Sequence, residues 1–210
     1  NERDFPLIFY RENCADMALC EDDIDPDYIR SAKGLVLTGT HLSRQGPRAA
    51  LLKAARVARE AGVKVALDID YRPNLWGLAG HADGENRYVE SADVTALLQE
   101  VVGLCDLVVG TEEEVHIAGG STDTLTALRA IRRLSGATIV LKRGPMGCVV
   151  FPGAIPARID DGIRGPGFAV EVYNVLGAGD AFMAGLLRGW LRGQSWETVA
   201  TWANACGAIA

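Results

Sequence analysis

Nowhere does the 210-residue chain approach the run of about 20 apolar residues that a membrane-spanning helix needs. No leader-like stretch stands at its start, and a cytoplasmic protein is the expectation. Basic charge is short: 21 Lys and Arg face 27 Asp and Glu, a net charge of −6 that argues against a general nucleic-acid binder. A local basic pocket for a nucleotide stays compatible with that balance. The five cysteines (Cys14, Cys20, Cys105, Cys148 and Cys206) form no C-x-x-C pair and have no histidine-rich neighbourhood. Structural zinc and a disulfide framework are therefore both disfavoured, and buried free thiols are expected. His41, His81 and His116 share no spacing and read as loop or surface residues. Internal repeats and low-complexity tracts are missing too. With 49% hydrophobic and 23% charged residues, the composition is that of an ordinary globular protein with one sizeable core.

Periodicity divides the chain into alternating strands and helices. Short strand patterns are expected at 7–10, 35–39, 63–68, 107–110, 138–142 and 148–151. Between them come a short apolar helix at 13–19 and a solvated acidic patch at 21–25. Further helices are expected from Pro47 to Gly62, from Ser91 to Leu104, from Thr111 onward and over 124–134. Residues 143–147 read as a hairpin turn, and 152–167 as a long connection within the domain. A further alternating run, Phe168, Val170 and Val172 against Ala169, Glu171 and Tyr173, reads as a strand. Phe182, Met183, Leu186, Leu187, Trp190 and Leu191 then recur at helical spacing, and an apolar helix closes the chain at 202–210. The four tryptophans, Trp76, Trp190, Trp196 and Trp202, read as packing residues. Strands alternating with helices imply right-handed βαβ units and a mostly parallel sheet.

Between the 168–173 run and the helix that follows lies Gly177-Ala178-Gly179-Asp180. Free N–H groups and the helix dipole make such a junction an anion site, and small side chains let a phosphate approach the backbone. A carboxylate repels a bound phosphate, so Asp180 makes chemical sense as the acceptor of a proton from a hydroxyl attacking phosphorus. The plainer reading is a glycine turn followed by an aspartate favoured in a first helical turn. A dinucleotide fingerprint would need glycine at Phe182, and a P-loop would need Gly-Lys-Ser/Thr. Neither is present.

Gly177, Ala178, Gly179, Asp180 and Phe182, with the small Ala184 and Gly185 beyond, resemble a signature of the ribokinase-like (PfkB) sugar kinases. Asn174 and Val175 replace that signature's opening Asp-Thr. The resemblance implies that Asp180 is the catalytic base and that the amides of Gly177, Ala178 and Gly179 form an anion hole. Asp68-x-Asp70-x-Arg72-x-x-Leu75-Trp76 resembles a stretch of the branch acting on keto-deoxy sugar acids, with Asp70 in place of asparagine. Tyr10 and Arg11 resemble a substrate-touching element of the same branch. The resemblance thus makes Tyr10, Arg11 and Arg72 substrate-binding residues, the arginines holding a carboxylate by bidentate pairs. Thr111 to Glu114 stands where the family carries Asn-x-x-Glu, which gives Glu114 a hold on Mg²⁺ through water. For Glu112 and Glu113 the helix dipole is explanation enough. Lys142, Arg143, Gly144 and Gly147 fall beside the nucleotide phosphates, and Asn204 beside the adenine.

The implied fold is an α/β three-layer sandwich with a mostly parallel central sheet. A single domain over 1–210 is expected, truncated at both ends and lacking the N-terminal part and most of the lid. The implied cofactors are ATP and Mg²⁺. A monovalent cation would be bound weakly or differently, because Asn174 brings no charge to that site. The implied partners are a sugar acid and ATP, with no nucleic acid or membrane, and a homodimer is compatible with the family. A binding protein that kept the fold and lost turnover is the reading from a different class, favoured by Asp70, Thr111 and Asn174 and opposed by Asp180.

Overall fold

The computed structural model describes residues 11, 13–80, 87–172 and 175–210. The expected strand at 7–10, Tyr10, His81, Tyr173 and Asn174 lie outside them. Six strands form one sheet in chain order: β1 (Gly34–Thr38), β2 (Lys64–Asp68), β3 (Leu107–Thr111), β4 (Thr138–Lys142), β5 (Cys148–Phe151) and β6 (Ile163–Gly165). The pairs from β1 to β4 are parallel, and β5 and β6 continue antiparallel. Helices α1 (Pro26–Ser31), α2 (Gln45–Glu60), α3 (Ala92–Val102), α4 (Glu112–Gly119) and α5 (Thr124–Leu134) precede or connect the parallel strands, and α6 (Ala178–Leu191) and α7 (Trp196–Ile209) end the chain.

This order dictates the layers. Right-handed crossovers between strands taken in sequence put every connecting helix on the same face. Val65, Leu67, Val108, Ile139, Leu141, Val149 and Phe151 accordingly point into one core with Leu51, Ala55, Leu98, Val115 and Leu128. The alternate residues, Ala66, Leu107, Val109, Val140, Cys148 and Val150, face α6 and α7 through Phe182, Met183, Leu186, Val199 and Ala203. Period-two burial on both faces is what a sheet covered on both sides requires. At the β1 edge the second layer gives out: Leu37 is buried but Val36 is 51% exposed.

The two C-terminal helices pack closely because of glycine. A Cβ on Gly185 would stand 2.8 Å from the Trp202 carbonyl oxygen, and one on Gly189 would stand 2.8 Å from Val199. Local signals account for several boundaries. Asp25, Ser91, Thr111, Asp123 and Ser195 each accept a first-turn amide as N-caps. Gly62 leaves α2 in the left-handed region.

Some expectations give way. Residues 13–19 contain only a short 3-10 turn, Ala15–Ala18. The 152–167 connection holds the three-residue β6, too short to show a period. The alternating run at 168–172 is no strand: it is unpaired, with Phe168, Val170 and Val172 all exposed. The ladder on β5 ends at Gly165, and the next residue, Pro166, has no N–H to extend it. All five cysteines are free thiols, but only Cys105 and Cys148 are buried. His116 is a helix residue, its Nε2 2.9 Å from Thr124 Oγ1. Trp76, Trp190 and Trp196 do pack, whereas Trp202 is exposed. Among the described residues no helix is long and apolar enough to cross a membrane.

Candidate active site

Parallel register gathers the last residues of four strands at one edge. Thr38 lies opposite Asp68, and Thr111 opposite Lys142. Here Lys142 Nζ reaches Asp68 Oδ1 at 3.0 Å and Glu114 Oε2 at 3.5 Å. Glu114 is delivered by a capping box: Thr111 N–H donates to Glu114 Oε2 at 2.7 Å, and Glu114 N–H donates to Thr111 Oγ1 at 3.3 Å. Gly110 leaves the room, since a Cβ there would sit 2.8 Å from Ile69 and 3.2 Å from Glu114 Cβ.

Two carboxylates share one ammonium in this nearly buried cluster. Burial, and then the negative charge of Glu114, push Asp68 up to about 6 although Lys142 opposes them. Burial works against the Lys142 ammonium, but Glu114 and Asp68 outweigh it and hold its pKa above the ordinary lysine value. The sequence expectation makes Lys142 a cation for nucleotide phosphates. The structure instead turns it inward, onto Asp68 and Glu114.

A second polar group lies beside the ends of β1 and β2. Asp70 has a φ of +35°, in a region where only Gly, Asn and Asp are at ease. Its Oδ1 pairs with Arg72 Nε at 2.9 Å, and its Oδ2 accepts from Thr38 Oγ1 at 3.2 Å. Arg11 is paired with Asp16. Burial lowers the pKa of His41, Arg11 adds to that effect, and Asp16 and Asp70 oppose it, so all these charges share one neighbourhood.

The glycine turn arrives at the same edge from the opposite layer. Near the C-terminus of α6, Leu191 lies over Gly34, the first residue of β1, where a Cβ would stand 3.1 Å from Leu191 Cδ2. There too Lys64, first in β2, holds its ammonium 4.9 Å from the centroid of the Trp190 ring. Helix α6 therefore runs antiparallel to the strands, and its N-terminus points toward their carboxyl ends. Gly177 caps it with a φ of +88°, and Asp180 is the third helical residue, exposed to solvent. The first-turn amides of a helix lack intrahelical acceptors, and a Cβ on Gly179 would meet nothing within 4 Å. An anion has room at Gly179, with a carboxylate alongside, while the Ala178 N–H donates to the Val175 carbonyl at 3.3 Å.

The remaining site expectations fall in two places. Arg143 donates to Asp160 at 2.7 Å from the β4–β5 turn. Gly144 (φ +54°) and Gly147 (φ +84°) shape that turn, and a Cβ on Gly147 would lie 2.2 Å from the Gly165 carbonyl oxygen. Asn204 is buried between α7 and the sheet, donating to Cys148 Sγ at 3.3 Å. The sequence expectation places Asn204 beside the adenine; in the structure the residue is 8% exposed. What sequence reading missed is Asp68 as a partner of Lys142. Both are strand-final polar residues, which is the one signal that marks them.

The model of the family described as pfkB family carbohydrate kinase matches residues 2–210. The chain belongs to the pfkB family. Curated relatives include the 5-dehydro-2-deoxygluconokinases of Shouchella clausii, 32% identical over 208 residues, and of Halalkalibacterium halodurans, 30% identical over 207 residues. Each alignment takes in 97% of this chain but only 58% and 57% of the respective relative, so the chain spans under three fifths of their length. Among solved pfkB-type structures, aminoimidazole riboside kinase from Salmonella enterica, complexed with aminoimidazole riboside and an ATP analog, is 26% identical with a TM-score of 0.72. That match covers 92% of this chain and 60% of the Salmonella enzyme.

Proposed function

We propose that the protein transfers the γ-phosphoryl of ATP to a terminal hydroxyl of a keto-deoxy sugar acid, 5-dehydro-2-deoxygluconate in the breakdown of myo-inositol. The observation that carries this reading is the exposed Asp180 in the first turn of α6, beside the unobstructed backbone of Gly179 at the carboxyl edge of the sheet. The curated relatives' names supply the substrate.

In this reading Asp180 accepts the substrate hydroxyl proton as the new O–P bond forms and the bond from γ-phosphorus to the β,γ-bridging oxygen breaks. The charge developing on the transferred group falls to the amides of Gly177, Ala178 and Gly179. Among the described residues no three of His, Cys, Asp and Glu come together as a metal cage. Mg²⁺ keeps most of its water and is held by one or two carboxylates and the phosphates. Bound there, it would neutralise charge on the β- and γ-oxygens. Glu114 would hold its water shell, and Lys142 fixes that carboxylate. Arg143, Gly144 and Gly147 would border the phosphates from the β4–β5 turn, and Arg72, Arg11 and Tyr10 would receive the substrate carboxylate. The test is ATP consumption by the intact protein with 5-dehydro-2-deoxygluconate, 2-keto-3-deoxygluconate and fructose. Turnover highest with the first supports the reading; ATP-dependent turnover with none of the three removes it.

A further inference from the structure

We infer that Asp70 is a specificity-determining residue, whose carboxylate weakens the hold of Arg72 on acidic substrates and lets neutral sugars compete. The inference rests on the reading of Arg72 as part of the substrate pocket.

Both oxygens of Asp70 are engaged, Oδ1 by Arg72 Nε at 2.9 Å and Oδ2 by Thr38 Oγ1 at 3.2 Å. Its backbone, at φ +35°, aims the side chain back over the end of β1. The Arg72 and Asp70 side chains are 26% and 29% exposed, so the pair stands at the rim of the sheet edge and its field reaches an incoming ligand. Among the described residues the surroundings do not restore a positive field. Glu114 and Asp68 enclose Lys142, and Asp16 pairs with Arg11. His41, a further titratable group nearby, is pushed toward its neutral form by burial and then by Arg11. A substrate carboxylate nearing Arg72 therefore meets the charge of Asp70 as well, whereas a hydroxyl meets only hydrogen-bonding groups.

Asp70→Asn isolates that charge. An amide oxygen still accepts from Arg72 Nε, and asparagine tolerates a positive φ as aspartate does. The experiment is calorimetric binding of 2-keto-3-deoxygluconate and of fructose to the intact protein and to Asp70→Asn. The acid should bind about fivefold more tightly to the variant, the upper end for a partly exposed charge pair, with fructose unchanged. Equal shifts for both sugars, an unchanged or weaker constant for the acid, or no acid binding to either protein would overturn the inference. Kinase turnover is scored separately: acid binding without turnover sinks the proposed reaction and leaves Asp70 to be judged by the binding constants.

Discussion

The Asp68–Glu114–Lys142 cluster and the Gly177–Asp180 turn meet at one edge of the sheet but are built on opposite plans. In the cluster the polar groups satisfy one another: the three side chains are at most 15% exposed, and a capping box fixes Glu114. In the turn Asp180 is exposed, with room above Gly179 for a phosphate. In the proposed reaction the groups satisfied inside the fold position their neighbours, and the exposed Asp180 is the one that meets substrate. Damage to the cluster should therefore be read first in stability, and damage to the turn first in rate.

The largest effect on the cluster is expected from Lys142→Met, which leaves two nearly buried carboxylates without their counter-charge. It should destabilise the fold by about 3 kcal/mol, lowering Tm by about 6–12 °C for a domain of this size. A Tm within about 2 °C of the parent, less than 1 kcal/mol here, would show that Lys142 does not hold the cluster together.

Proton linkage sharpens the same contrast. Asp68 has a folded pKa of about 6 against an ordinary 3.8. A raised pKa contributes stability that is fully present below the unfolded value and is lost as pH rises through the folded one. The parent should thus lose stability from Asp68 between about pH 4 and pH 6, and Asp68→Asn should lack that component. Thermal melts of the two proteins across that range decide it; parallel profiles would contradict the assignment.

Two glycines of α6 carry the comparison into one helix. Gly185→Ala forces a methyl to within 2.8 Å of the Trp202 carbonyl and should cost about 1–3 kcal/mol. Gly179→Ala meets nothing and should leave stability unchanged or raise it by up to about 1 kcal/mol, while weakening ATP binding. Equal losses of Tm in the two variants would remove the distinction between packed and open glycine.

The sequence reads clearly where the cause is local. Helix α5 and strands β4 and β5 fall where periodicity and caps put them, because those signals sit within the elements. The run at 168–172 fails for a different reason. Alternation makes a segment competent to pair, but a strand also needs a neighbour, and the β5 ladder stops before Pro166. The site divides the same way. The glycine turn and the start of α6 are legible because a helix cap and first turn are local, although the strand expected before them does not form. The bond from Lys142 to Asp68 spans 74 residues of sequence and exists only because parallel register brings two strand ends together. Asn204 illustrates the same limit: its position on the last helix is legible, whereas its hydrogen bond to Cys148 Sγ, 56 residues away in sequence, is not.

The most direct test of the proposed chemistry is kcat of Asp180→Asn, with Tm taken on the same sample. Loss of the base should lower kcat by at least about 100-fold, and Tm should stay at the parent value because the side chain is exposed and asparagine nearly isosteric. A folded variant that turns over at close to the parent rate would contradict the assignment of Asp180 as the base.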